Sequence, residues 1–164
     1  MMCAMVEISL AGGRGFALMD DTDAPLVSRY MWSISDRGAH KYAMGKLKGG
    51  APGCPVPMHR LIMRPRKGRQ VDHRNGNGLD NRRVNLRTCT PSQNAMNRGA
   101  VRTSATGLKG VTFRPSSRNP NKYSASGKLN GRQFYLGNYP NAQSAHEAYC
   151  AWAKKAHGSF FRAS

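Results

Sequence analysis

Acidic side chains are scarce in this chain. Eight of its 164 residues are Asp or Glu, against 26 Lys and Arg, giving a formal charge of +18 at neutral pH. The scarcity is also uneven, because seven of the eight acids lie at or before Asp80 and Glu147 alone follows. A solvated surface ordinarily mixes both signs, so a nearly all-cationic second half points to a surface that lies along phosphates. Long apolar runs are missing as well. No stretch of about 18 apolar residues occurs, and Met1 to Leu10 has neither a basic leading region nor a long apolar core. With no spanning helix or signal peptide expected, the polyanion is expected to be nucleic acid and not a membrane surface.

Cysteine is equally uninformative as a scaffold. Cys3, Cys54, Cys89 and Cys150 are scattered without a C-x-x-C pair, so the expectation is reduced, partly buried thiols and no zinc finger. An apolar share of 39% limits any single core. The length suits one ordinary domain or two small ones.

Gly and Pro break residues 1–57 into short apolar runs, Val6 to Leu10, Phe16 to Met19, Tyr30 to Ile34 and Tyr42 to Leu47. Such runs read as strands of a small β-rich segment. Asp20-Asp21-Thr22-Asp23 lacks the later Gly and Glu of a calcium loop and reads as an acidic turn. Residues 58–98 follow as strand, polar loop, strand and helix, the loop carrying Gly76 and Gly78. The helix start is marked three times over. Thr90 suits the N-cap, Pro91 the first helical position, and Gln93 completes a T-x-x-Q capping box. Asn94 therefore falls on the first turn. Residues 99–107 are Gly, Ser, Thr and Ala with Val101 and one basic side chain, Arg102, and read as a linker.

The chemistry concentrates between Val71 and Asn94. Phosphodiester hydrolysis needs an activated water, neutralised phosphoryl oxygens and help for the leaving oxygen. Neutral His73 can take a proton from water, its ordinary pKa being about 6.5. Asp72 and the side-chain oxygen of Asn94 are hard ligands suited to Mg²⁺ or Mn²⁺. Adjacent strand residues point to opposite faces, so Asp72 and His73 can cooperate only if the strand ends or twists there. Asn75-Gly76 permits such an end.

The run Asp72-His73-x-Asn75-Gly76, then Asp80-Asn81-Arg82-x-x-Asn85-Leu86-Arg87 and Gln93-Asn94, resembles the HNH nucleases of the homing-type and phage-encoded branch. Met58-His59-Arg60-Leu61-Ile62 is a common lead-in to that motif. The resemblance implies a ββα-metal finger. In it His73 is the general base, Asp72 and Asn94 hold Mg²⁺ (with Mn²⁺ as a substitute), and Asn85 fastens the loop through backbone hydrogen bonds. Arg87 reads as a phosphate clamp or a solvated cation, and His59 as a packing residue or a phosphate contact. Arg82 and Arg83 read as phosphate contacts or loop anchors.

Residues 108–164 read as a second unit. Leu108 to Arg114, Tyr123 to Leu129 and Gln133 to Gly137 alternate like strands, and Asn130-Gly131 is a hairpin turn signal. From Ala142 to Gly158 the apolar residues recur at helical spacing. Alternation places Thr112, Arg114, Ser124, Ser126, Lys128, Gln133 and Tyr135 on the face away from the helix, where long polar side chains can read a groove. Gly110-Val111, Tyr135-Leu136-Gly137-Asn138-Tyr139 and His157-Gly158 resemble the plant APETALA2/ethylene-response-factor DNA-binding domain. The resemblance implies that the DNA-contacting positions are six of the residues on that face, all but Ser124. Thr112, Ser126 and Gln133 differ from its usual side chains, so its target site does not carry over.

The expected architecture is α+β: a β-rich N-terminal segment, a ββα-metal finger, and a three-stranded antiparallel sheet packed on one helix. The expected function is site-specific hydrolysis of double-stranded DNA. No membrane role and no obligatory protein partner are expected, and the protein should be a monomer or weak dimer. Its expected location is the cytoplasm (the host cytoplasm if phage-encoded), without secretion. The competing readings are a DNA-binding regulator with a remnant finger and an RNA-binding basic protein.

Overall fold

Alternating side chains and a glycine turn build the first hairpin. Strand β1 (Met5–Ser9) pairs antiparallel with β2 (Phe16–Asp20) across Gly12 and Gly13, both at positive φ. Ala17 and Met19 are buried completely on one face of β2. A 3₁₀ turn (Asp21–Asp23) and a one-turn helix α1 (Ala24–Val27) follow. A longer hairpin, β3 (Tyr30–Arg37) with β4 (His40–Leu47), adds the short β5 (Val56–Pro57) to its edge. Helix α2 (Met58–Met63) ends at Arg64, whose φ of 44° stops it in a left-handed turn. The last hairpin of the unit is β6 (Gln70–His73) with β7 (Leu86–Cys89). Helix α3 (Pro91–Met96) begins at the expected proline.

The computed structural model describes residues 4–37, 40–49, 53–97 and 104–161. It divides into two units, one running to Pro91 and the other starting at Ser92. Both are α+β with small antiparallel sheets, the expected class.

In the first unit one core joins the N-terminal strands to the β6–β7 hairpin. Met19, Val27, Trp32, Ala43, Met58, Ile62, Val71 and Leu86 are buried together. Each large apolar side chain there contributes about 1.5–3 kcal/mol by leaving water. The Trp32 Nε1–H meets its need for a partner by donating to the Val27 carbonyl at 2.9 Å. The loop between β6 and β7 is also stitched to β2. Leu18 N donates to Leu79 O at 2.8 Å and Asn81 N donates to Leu18 O at 2.7 Å. Gly78 lies so close to β4 that a Cβ would collide with the Lys41 carbonyl and the Tyr42 ring. Strands β2 and β4 thus form the floor on which the loop is seated.

In the second unit β8 (Val111–Phe113), β9 (Tyr123–Leu129) and β10 (Arg132–Tyr139) form a sheet with β9 central. Asn130 and Gly131 have φ of 48° and 81°, the doubly left-handed turn their sequence favours. Helix α4 (Ala142–His157) is capped by Asn141, whose Oδ1 accepts from Ser144 N at 2.8 Å, and stops at Gly158. Val111, Ala125 and Ala145 form its core with Tyr123, Leu136 and Tyr139 packed around them. Residues 99–103 of the expected linker lie outside the described residues, while Ser104 to Gly107 close a turn. Among the described residues no helix is long and apolar enough to cross a membrane.

Candidate active site and sheet face

Strand β6 ends at His73, and the chain turns at once. Gly76 N donates to His73 O at 2.9 Å, and Gly76 takes a φ of 72°. Both Asp72 and His73 are buried, with 6% and 5% of their surface exposed.

Asn81 sets the imidazole of His73. The Asn81 Nδ2 donates to the Leu79 carbonyl at 3.1 Å, which turns its Oδ1 toward His73 Nε2 at 3.4 Å. Nε2 therefore carries the proton, and Nδ1 is the basic nitrogen. The rings of Tyr42 and His59 flank His73 at 5.9 and 4.9 Å between centroids, His59 edge-on. Burial lowers the pKa of His73, against the opposing pull of the Asn81 hydrogen bond and of the Asp72 and Asp80 charges. Desolvation, then repulsion from His73 and Arg60, lowers His59 to about 3. Its Nδ1 is buried without a hydrogen-bond partner among the described residues.

Asp72 is matched by Arg87 directly across the β6–β7 ladder. Arg87 Nε and Nη2 both donate to Asp72 Oδ2, at 2.8 and 2.7 Å. Arg87 is 8% exposed. The side chain expected at a phosphate or in solvent is thus buried against the carboxylate beside the histidine. Such a pair, once buried, loses about 3–5 kcal/mol when one partner is removed.

The loop is held from inside. Asn85 Oδ1 accepts from Asn75 N at 3.1 Å, and its Nδ2 donates to Asp80 O at 2.7 Å. Asp80 accepts from Arg82 Nε and Nη2 at 2.8 and 2.7 Å and from Asn75 Nδ2 at 2.9 Å. The Arg82 hydrogen bond, above all, keeps the Asp80 carboxyl below its ordinary range. Arg83 anchors the loop to the acidic turn, its backbone N–H donating to Asp20 at 2.7 Å and its guanidinium to both oxygens of Asp23. The acidic turn serves the loop and binds it by charge. Tyr42, Asp20 and Asp23 carried no signal of these contacts in the sequence, since their partners lie far along the chain, and Asn81 stood in the motif without a role assigned to it.

Asn94 lies half-buried on α3, in the second unit. Among the described residues no group of three or more His, Cys, Asp and Glu could hold a metal ion. Hard oxygen donors are nonetheless available in the Asp72 side chain and in the Asn94 amide.

On the second unit, register fixes which side chains share a face. Gln133 stands opposite Lys128, Tyr135 opposite Ser126, and Thr112 opposite Ser124. The register shifts between Tyr135 and Gly137, leaving Leu136 as the extra residue that joins the core beneath. Phe134 faces the opposite way and meets Trp152 of α4 at 5.5 Å. Thr112, Arg114, Lys128, Gln133 and Tyr135 are exposed, with Ser126 half-buried among them, whereas Ser124, expected on the same face, is buried on the central strand. Tyr135 stands out at 66% exposure.

The profile described as HNH endonuclease matches residues 57–96. An uncharacterized HNH endonuclease of Acanthamoeba polyphaga mimivirus is 30% identical over 166 residues, covering 96% of this chain and 80% of that protein. No solved structure matches the chain.

Proposed function

Because the chain belongs to the HNH endonuclease family, we propose that it hydrolyses phosphodiester bonds of duplex DNA with His73 as general base. The observation that carries this reading is the buried His73, neutral near pH 7 and held in one tautomer by Asn81. Its Nδ1 takes a proton from water as the water oxygen attacks phosphorus, and the bond from phosphorus to the 3′ oxygen breaks. Asp72 and Asn94 would hold the divalent cation, Mg²⁺ with Mn²⁺ as a substitute. The cation would neutralise the phosphoryl oxygens and stabilise the leaving oxygen. The ligand role of Asn94 rests on the motif match. So few protein ligands leave positions for water and phosphate oxygens, as Mg²⁺ prefers.

Asn85 and Asp80 keep the loop folded so that His73 and Asp72 stay together at the end of β6. The second unit is proposed to be an APETALA2-like DNA-binding domain. Thr112, Arg114, Ser126, Lys128, Gln133 and Tyr135 form its reading face, and the surplus of Lys and Arg supplies electrostatic capture. The enzyme would act in the cytoplasm, that of a host if phage-encoded, as a monomer or weak dimer without an obligatory protein partner.

Plasmid incubated with the protein in Mg²⁺ should be nicked or cut, and EDTA should stop the reaction. His73→Ala should abolish cleavage while DNA binding stays nearly intact. Cleavage by that variant at the wild-type rate sinks the assignment of the base. Tight duplex binding with no metal-dependent product from the intact protein favours a regulator with a remnant finger.

A further inference from the structure

The two carboxylates whose charges act on His73 are Asp72 and Asp80. Each is matched by an arginine of the same hairpin, Asp72 by Arg87 and Asp80 by Arg82. The two pairs differ in surroundings. Arg82 is 36% exposed, so water screens its charge, whereas Arg87 is 8% exposed and its guanidinium reaches Asp72 through two donors to one oxygen. A divalent cation approaching Asp72 meets a carboxylate already neutralised at contact distance, in surroundings where charges are weakly screened.

We propose that Arg87 is a built-in counter-cation that makes metal loading at Asp72 depend on DNA. This rests on the reading of Asp72 as a metal ligand. Without DNA, Arg87 stabilises the Asp72 carboxylate and opposes the charge of an incoming cation. When a backbone phosphate reaches the site, its negative charge offsets the arginine and adds oxygen ligands, and the cation binds. Arg87 acts through Asp72 and is a positioning residue. The arrangement keeps a strongly basic protein from holding a reactive cation before substrate is present.

Mn²⁺ binding, followed by the electron paramagnetic resonance signal of the free ion, tests this without reference to cleavage. The wild-type protein alone should bind Mn²⁺ weakly, and sheared duplex DNA with phosphorothioate linkages should tighten binding by about tenfold or more. The background from DNA is subtracted with Asp72→Asn. Arg87→Gln, which keeps a donor and loses the charge, should bind Mn²⁺ about tenfold or more tightly without DNA. Arg87→Lys, which keeps the charge, should behave like wild type. A purely structural arginine predicts the reverse for Arg87→Gln, with weaker Mn²⁺ binding and a lower melting temperature.

If Asp72→Asn loses Mn²⁺ and Arg87→Gln binds it no more tightly than wild type, the role of Arg87 is overturned and the site reading stands. If Asp72→Asn binds Mn²⁺ as wild type does, both fall. Should Arg87→Gln fail to fold, the wild-type pair of measurements decides. Equal Mn²⁺ affinity with and without DNA overturns the proposal.

Discussion

Arg83 and Asp23, 60 positions apart in the chain, meet in a two-point ion pair, with Nε and Nη2 donating at 2.9 and 2.6 Å to the two carboxylate oxygens. Asp23 is buried and Arg83 half-exposed, so the arginine covers the acid from the solvent side. Asp20 adds a hydrogen bond to the Arg83 backbone. The pair fastens the β6–β7 loop to the turn after β2. Asp23→Ala should destabilise the protein by about 1–3 kcal/mol, mostly through the loosened loop. Urea unfolding measures this, and an unchanged midpoint would show that the pair contributes nothing.

Asn85 offers a sharper test of loop order. Truncation to Ala leaves Asn75 N and Asp80 O without their partners. Asn85→Ala should cost about 1–3 kcal/mol and lower cleavage well beyond that loss, because His73 and Asp72 depend on the loop's position. Assays far below the melting temperature separate the two effects. Full cleavage by a destabilised Asn85→Ala would mean that loop order is not needed for chemistry.

Acid should weaken the fold in a defined window. His59 titrates near 3 in the native protein, depressed by burial and by His73 and Arg60, and near 6.5 when unfolded. Its neutral ring therefore supports stability fully above about pH 6.5, and that support is lost progressively as pH falls toward 3. His73 and His157, both lowered by burial, act in the same direction. Melting temperatures taken from neutral pH downward should fall through this range, and His59→Phe should flatten the slope. An unaltered slope in that variant removes His59 from the account.

On the second unit the exposed face should separate charge from shape. Lys128→Ala should weaken duplex binding and reduce the slope of log affinity against log salt by about 1. Tyr135→Ala should cost about 1 kcal/mol with the slope unchanged, because an aromatic contact releases no counterions. Fluorescence anisotropy over a salt series reads both. Identical salt slopes for Lys128→Ala and wild type would place Lys128 away from phosphate.

The hairpin of the second unit was legible because its signals are local. Asn130-Gly131 demands two left-handed residues in succession, and alternation along β9 and β10 sorts the side chains between helix and solvent. The Leu136 bulge was not legible, since an extra residue in one strand shows only when the partner's register is known. Pro91 likewise marks the start of α3 by a local steric rule. The residues around His73 divide the same way. Asp72, His73 and Asn85 stand out as a spaced set of chemically capable side chains, whereas the Tyr42 and His59 contacts arise from chain segments that the sequence keeps apart, and the Asn81 contact depends on how the intervening loop folds back on His73.

By itself, the sequence determined the charge of the chain, the Asp72-His73 pair with its polar loop, the turn residues and the polar face of the C-terminal sheet. Each depends on residue type or on short-range periodicity. Only the tertiary structure decided that Asp20 and Asp23 hold the loop through Arg83, and that Arg87 is buried on Asp72. A charged side chain reads as solvated until burial removes the water. Its partner then becomes an energetic necessity, and only folding shows which partner lies within reach.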